Sequence, residues 1–153
     1  VWLTGPVPRV NPERNWSGAG KVRSPEGLVE DTIPEDQSLV IETDRGLVVI
    51  SGCGHAGIIN TLEYARKKIR DGPIHAALGG FHLFKASAEH LGWTGKRLRD
   101  LGLENFMGAH CTGIEAVFRL RQSAGLDRSH CVVGAVGASF DLTSGLDPLD
   151  LAR

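Results

Sequence analysis

The chain has 153 residues, 41% of them hydrophobic and 23% charged, with 17 basic against 18 acidic side chains and a net charge of −1. That size and balance suit one domain with its own core, and they give nucleic acid or an anionic membrane surface no electrostatic hold. No apolar run approaches the roughly 18 residues of a membrane span, and no signal-peptide pattern opens the chain. Three cysteines without CxxC spacing point to a reducing compartment, so a cytoplasmic location is expected. The only methionine is Met107, so the chain is expected to be trimmed or a piece of something longer.

In chain order, Val1 to Leu3 reads as the end of a strand. From Thr4 to Pro34 the turn signals Asn11-Pro12, Asn15-Trp16-Ser17-Gly18 and Ser24-Pro25-Glu26-Gly27 predict a loop-rich lead-in over residues 1–37, pinned by Trp2 and Trp16. Ser38 to Thr43 and Leu47 to Ser51 read as two strands of a hairpin joined by Asp44-Arg45-Gly46. A glycine-rich turn then opens a helix with Ile58, Leu62, Ala65 and Ile69 on one face, whose basic run Arg66-Lys67-Lys68-Ile69-Arg70 reads as a solvated face. Asp71-Gly72-Pro73 ends it, and Ile74 to Leu78 is a third strand. Thr94 reads as the cap of a short helix carrying Leu98 and Leu101, and Asn105 to Ala109 as a strand. Ile114, Val117, Phe118 and Leu120 mark a helix stopped near Gly125, and Cys131 to Val136 a last strand. This β-β-α-β-α-β-α-β order predicts an α/β unit over residues 38–140, with a mostly parallel sheet and flanking helices, then a polar tail over 141–153.

Three predicted strands are each followed by a glycine-flanked histidine: His55, His82 and His110. One histidine at a strand end is ordinary surface chemistry. Three at equivalent strand ends are different, because parallel topology gathers those ends at one edge, where open α/β sheets bind ligands. Imidazoles converging there suit zinc, iron or manganese. Cys53, two residues before His55, is either a small buried hydrophobe or a further ligand, and Cys111 beside His110 carries the same two readings. His75, His90 and His130 fall at a strand start, in a connecting loop and before a strand, and read as structural. Gly52 to Gly57 also satisfies G-x-G-x-x-G between strand and helix, but the next strand ends in Gly79-Gly80-Phe81 with no carboxylate for a ribose, so a dinucleotide-binding module is a weak alternative.

The stretches Gly46 to Thr61 (with Ser51-Gly52-Cys53-Gly54-His55-Ala56-Gly57 at the centre), Gly79-Gly80-Phe81-His82-Leu83 and His110-Cys111-Thr112-Gly113 resemble the metallo-β-lactamase superfamily. They are most similar to its branch of metal-dependent hydrolases that includes dihydropterin–aminobenzene ribofuranosyl phosphate synthases. The opening Thr4-Gly5-Pro6-Val7-Pro8-Arg9 and Asp36-Gln37-Ser38-Leu39 share that likeness. The resemblance implies half of an αββα sandwich with a one- or two-metal site at one sheet edge, activating water against a small-molecule, sometimes phosphorylated, substrate. It implies His55, His82 and His110 as metal ligands, with zinc, manganese or iron as the ion. Cys53 falls where many members place a bridging aspartate, and Asp36 is a candidate acid/base or supporting group. The superfamily's H-x-H-x-D-H string is absent, so the chain resembles the carboxyl-terminal half alone. An exposed sheet face is therefore expected, closed by the missing amino-terminal half or by self-association into a dimer. The isolated chain is expected to be inactive; a non-catalytic half-fold that dimerises is the alternative.

Overall fold

A computed structural model describes residues 1–149. Its central sheet has six strands in the order β1 (Trp2–Leu3), β4 (Ser38–Thr43), β5 (Gly46–Ser51), β6 (Ile74–Gly79), β7 (Asn105–Gly108) and β8 (Cys131–Val133). Two exposed-edged hairpins stand outside it, β2 (Lys21–Ser24) with β3 (Gly27–Glu30), and β9 (Ser139–Asp141) with β10 (Gly145–Asp147). The β1–β4 and β4–β5 pairs are antiparallel, and the three pairs from β5 to β8 are parallel. Between the parallel strands run α1 (Ile58–Lys68), α2 (Ala88–Asp100) and α3 (Ile114–Ala124).

Register explains how one sequence pattern makes two unlike faces. Val40, Val49, Ala77, Phe106 and Cys131 lie opposite one another across five strands and belong to one buried cluster with Ile58, Leu62, Leu98, Val117 and Leu120 from the helices. Side chains alternate along a strand, so the adjacent row faces the other way: Leu3, Leu39, Ile50, Leu78 and Met107. Leu3 is 70% and Ile50 37% exposed, while Leu39, Leu78 and Met107 are half-buried. An apolar cross-strand row thus lies open on the sheet face away from the helix-packed core. At its far end the β9–β10 hairpin reaches the sheet, with the Phe140 ring 5.3 Å from that of His75 and Arg45 donating to the Leu142 carbonyl.

Several expectations need correction. The lead-in is not structureless, since residues 21–30 form a hairpin whose side chains point mostly to solvent and carry no alternating pattern. Trp2 is 51% exposed, and its hold on the domain is the β1–β4 pairing opposite Val40. Trp16 is sandwiched with Arg9 and Arg14 and donates to Glu30, tying the lead-in to itself. The anchors to the domain are polar: Asn60 Oδ1 accepts from Val10 N and Asn11 N, and Asn15 Nδ2 donates to the Phe81 carbonyl. The short helix capped by Thr94 is instead a 13-residue helix capped by Ser87, whose hydroxyl accepts from His90 N; Thr94 is buried mid-helix and His90 lies on that helix, not in a loop. The last sheet strand stops at Val133, and the tail expected to be polar begins as the β9–β10 hairpin; its residues 150–153 lie outside the described residues.

Candidate metal centre

The carboxyl ends of β5, β6 and β7 lie level, with Ser51 opposite Gly79 and Gly79 opposite Gly108. Backbone bonds continue the ladder past the strands, Gly80 N donating to Ser51 O at 3.0 Å and Ala109 N to Gly79 O at 2.8 Å. The approach is close because Gly79, at φ 112°, has no side chain: a Cβ there would sit 2.1 Å from the Ser51 carbonyl oxygen. The three loops that leave these strands therefore converge on one spot.

Cys53 Sγ, His82 Nδ1 and Cys111 Sγ meet there, all within 4.8 Å of one another. Cys53 Sγ lies 3.3 Å from His82 Nδ1 and 3.0 Å from Cys111 Sγ, while Cys111 Sγ also accepts from His82 N and faces Cys53 O. The His55 ring stands 4.6 Å from that of His82, centroid to centroid. Asp36 supports His55 from behind, with Oδ1 3.6 Å from Nδ1 and Oδ2 accepting from Ala56 N. His110 opens a 3₁₀ turn, His110–Thr112, directly before Cys111. His82 and His110 both hold positive φ, at 46° and 50°, a conformation disfavoured for any side chain and concentrated at functional sites. Thr112 knits the loops beneath, accepting from Phe81 N and donating to Gly79 O.

Burial, then the Cys111 thiol beside it, pushes Cys53 up to about 12, so this thiol is protonated at neutral pH and is no nucleophile on its own. Burial, followed by the charges of His55 and His110, holds His82 below its ordinary value, so its imidazole is neutral and able to ligate. These donors fit a metal: two thiols and one imidazole in a compact triangle are three of the four positions of a tetrahedral zinc site, and a cation there would draw off the thiol protons. Tetrahedral bond lengths would spread the two sulfurs by several tenths of an ångström from their 3.0 Å separation.

Of the residues singled out in the sequence, the structure brings Cys53 and His82 into the triangle, sets His55 and His110 beside it, and puts Asp36 behind His55. Cys111, left open by the sequence, completes the triangle. Glu13 was missed altogether. Its buried carboxylate accepts from Ile59 N at 3.1 Å and Asn60 N at 2.8 Å, at the start of α1. That is where the G-x-G-x-x-G reading would put a pyrophosphate. This chain's own carboxylate fills the place, and a Cβ at Gly57 would already collide with it at 2.4 Å, so the dinucleotide reading loses its anion site.

No family model matches the chain. It is 36% identical over 89 residues to the 7,8-dihydropterin-6-methyl-4-(beta-D-ribofuranosyl)-aminobenzene-5′-phosphate synthase of Methanocaldococcus jannaschii, a match covering 58% of this chain and 30% of that protein. It is also 36% identical over 97 residues to an uncharacterized protein of the same organism, covering 61% of this chain and 34% of the relative. Among solved structures it matches Tm1679, a metal-dependent hydrolase of the β-lactamase superfamily, with TM-score 0.67 and 33% identity over 79% of this chain and 46% of that one. The matches span about a third of each curated relative and under half of the solved chain. Among the described residues no helix is long and apolar enough to cross a membrane. In sequence and in fold, the chain is similar to the metal-dependent hydrolases of the β-lactamase superfamily, the resemblance its three histidine motifs carry.

Proposed function

We propose that this chain supplies a thiolate-rich metal centre to a metal-dependent hydrolase of the metallo-β-lactamase fold. The observation that carries the reading is the convergence of Cys53 Sγ, His82 Nδ1 and Cys111 Sγ at the edge where β5, β6 and β7 end. Zinc is the ion that two sulfurs and an imidazole favour over manganese, which prefers oxygen donors. When bound, the ion supplies Lewis acidity, polarising a carbonyl or phosphoryl oxygen and activating water. His55 and His110 flank the triangle as further ligands, for the same ion or a second one. Asp36 is a positioning residue: it holds the His55 turn by accepting from Ala56 N, with its other oxygen 3.6 Å from His55 Nδ1, on the side where carboxylates commonly stand behind metal-bound histidines. The substrate is a small molecule carrying a phosphate, in keeping with a relative named as the synthase of a 5′-phosphate compound.

The open row Leu3–Leu39–Ile50–Leu78–Met107 supports a second element of the reading. In the working protein this face is covered by the remainder of the fold, since the solved relative is more than twice the length of the part matched here. The same row is what a non-catalytic dimer would use, and metal uptake separates the two.

Zinc content by elemental mass spectrometry, with competition against a chromophoric chelator, tests the centre. The reading expects zinc uptake that His82→Ala and Cys111→Ser abolish and that Cys131→Ser, on the core face of β8, leaves intact. A chain that takes up no zinc, or holds it equally in all three variants, overturns it.

A further inference from the structure

Beside the centre, a cleft of about 390 Å³ opens between the lead-in and the segment joining β6 to α2. The volume is in the range of small-molecule sites. Trp16 and Phe84 contribute aromatic walls, and His82 stands at the end shared with the proposed metal centre. Phe84 is 51% exposed, and its ring meets that of His82 edge-on at 5.1 Å. Arg14 and Lys85 line the cleft, and no carboxylate does, although acids outnumber bases in the chain as a whole. The two cations differ. Arg14 is ion-paired with Glu30, whereas Lys85 pairs with no carboxylate among the described residues and extends its Nζ 5.4 Å from the Phe84 ring centroid. His90 also lines the cleft, and its buried Nε2 has no hydrogen-bond partner among the described residues, an unusual condition for a buried polar atom.

We propose that this cleft is the substrate subsite of the centre and takes a planar ring bearing an anionic group, with Lys85 as the residue that fixes the anion. The inference rests on the reading of His82 as a metal ligand, because that residue joins the cleft to the chemistry. The ring lies against the exposed Phe84, where an aromatic face gains contact at little entropic cost, while Trp16, its ring already carrying the Arg9 and Arg14 guanidiniums, lines the cleft. The anion meets Lys85 in a charge-assisted hydrogen bond.

Phenyl phosphate, phenol and inorganic phosphate, titrated calorimetrically against the chain before and after treatment with chelator, test the assignment. Phenyl phosphate is expected to bind more tightly than either fragment and to keep binding after chelation. Lys85→Ala, at an exposed position that the fold does not depend on, is expected to weaken it about tenfold, the loss of one charged hydrogen bond, and Lys85→Arg to restore most of it. No preference for phenyl phosphate over phenol, or equal affinity in Lys85→Ala, overturns the proposal. Binding that vanishes entirely on chelation overturns it too, while leaving the metal reading intact. Lys85-dependent binding by a chain that takes up no zinc upholds the cleft and removes the centre.

Discussion

Replacing Glu13 with glutamine removes the carboxylate that the lead-in inserts at the start of α1. Burial raises the Glu13 carboxyl from 4.5 to about 7, outweighing the backbone donors at Asn60 and Ile59, with the nearby charge of Glu63 adding to the rise. A carboxyl whose folded value exceeds its unfolded one binds its proton more tightly in the native state. Its contribution is then fully present below pH 4.5 and is lost as the pH climbs through about 7. At about 1.4 kcal/mol per pH unit, the loss comes to about 3 kcal/mol. Glutamine does not titrate, so Glu13→Gln should lack this dependence, at a pH-independent cost because its NH2 cannot accept from the second of the two α1 amides. Urea unfolding from pH 4.5 to 8 of both proteins isolates the effect, since every other group titrates alike in the two. The wild-type chain should lose about 3 kcal/mol relative to the variant across that range. Parallel curves would refute the reasoning and mean that the α1 amides, not burial, govern this carboxyl.

Gly79→Ala places a methyl against the Ser51 carbonyl, where only backbone can yield, and should cost about 3 kcal/mol or more in thermal or urea unfolding; a change under about 0.5 kcal/mol would show that β5 and β6 can part freely. Diamide should oxidise Cys53 and Cys111, whose sulfurs lie 3.0 Å apart, to a disulfide, taking up their two protons and two electrons as it becomes the hydrazine. Thiol titration should then find Cys131 alone, and zinc uptake should fall away; three thiols surviving would contradict the juxtaposition. Ile50→Lys puts a charge in the middle of the open row and should raise the concentration at which the chain self-associates in sedimentation, whereas an unchanged profile would remove that row from any interface. The isolated chain should show no chelator-sensitive hydrolysis of p-nitrophenyl phosphate, and a clear rate abolished by chelator would show that these residues suffice without a covering sheet.

Much of this architecture is legible because it is local. The run Leu47 to Ser51, the four-residue apolar spacing of α1 and the glycine after α3 each state their structure within a dozen residues. Parallel order then gathers His55, His82 and His110 at one edge without further information. The remainder depends on distant partners. The true extent of α2 is hard to see because Gly92 and Gly95, poor helix formers, lie inside it. Gly95 is there for space, since a Cβ would stand 1.9 Å from Ser123 Oγ on α3. The β2–β3 hairpin buries too little to show an alternating pattern. Cys111 reads equally as a small hydrophobe or a ligand until folding brings it to Cys53, 58 positions away. The partners of Glu13 lie 46 and 47 positions along the chain, and nothing in its own neighbourhood announces them.

The absorption spectrum of the chain titrated with cobalt(II) tests the central claim most directly, because it reports which atoms hold the ion. The account predicts intense tetrahedral d–d bands and a thiolate-to-cobalt charge-transfer band that weakens in Cys53→Ser and in Cys111→Ser and disappears in the double variant. A weak octahedral spectrum without sulfur charge transfer, or one indifferent to both substitutions, would contradict it.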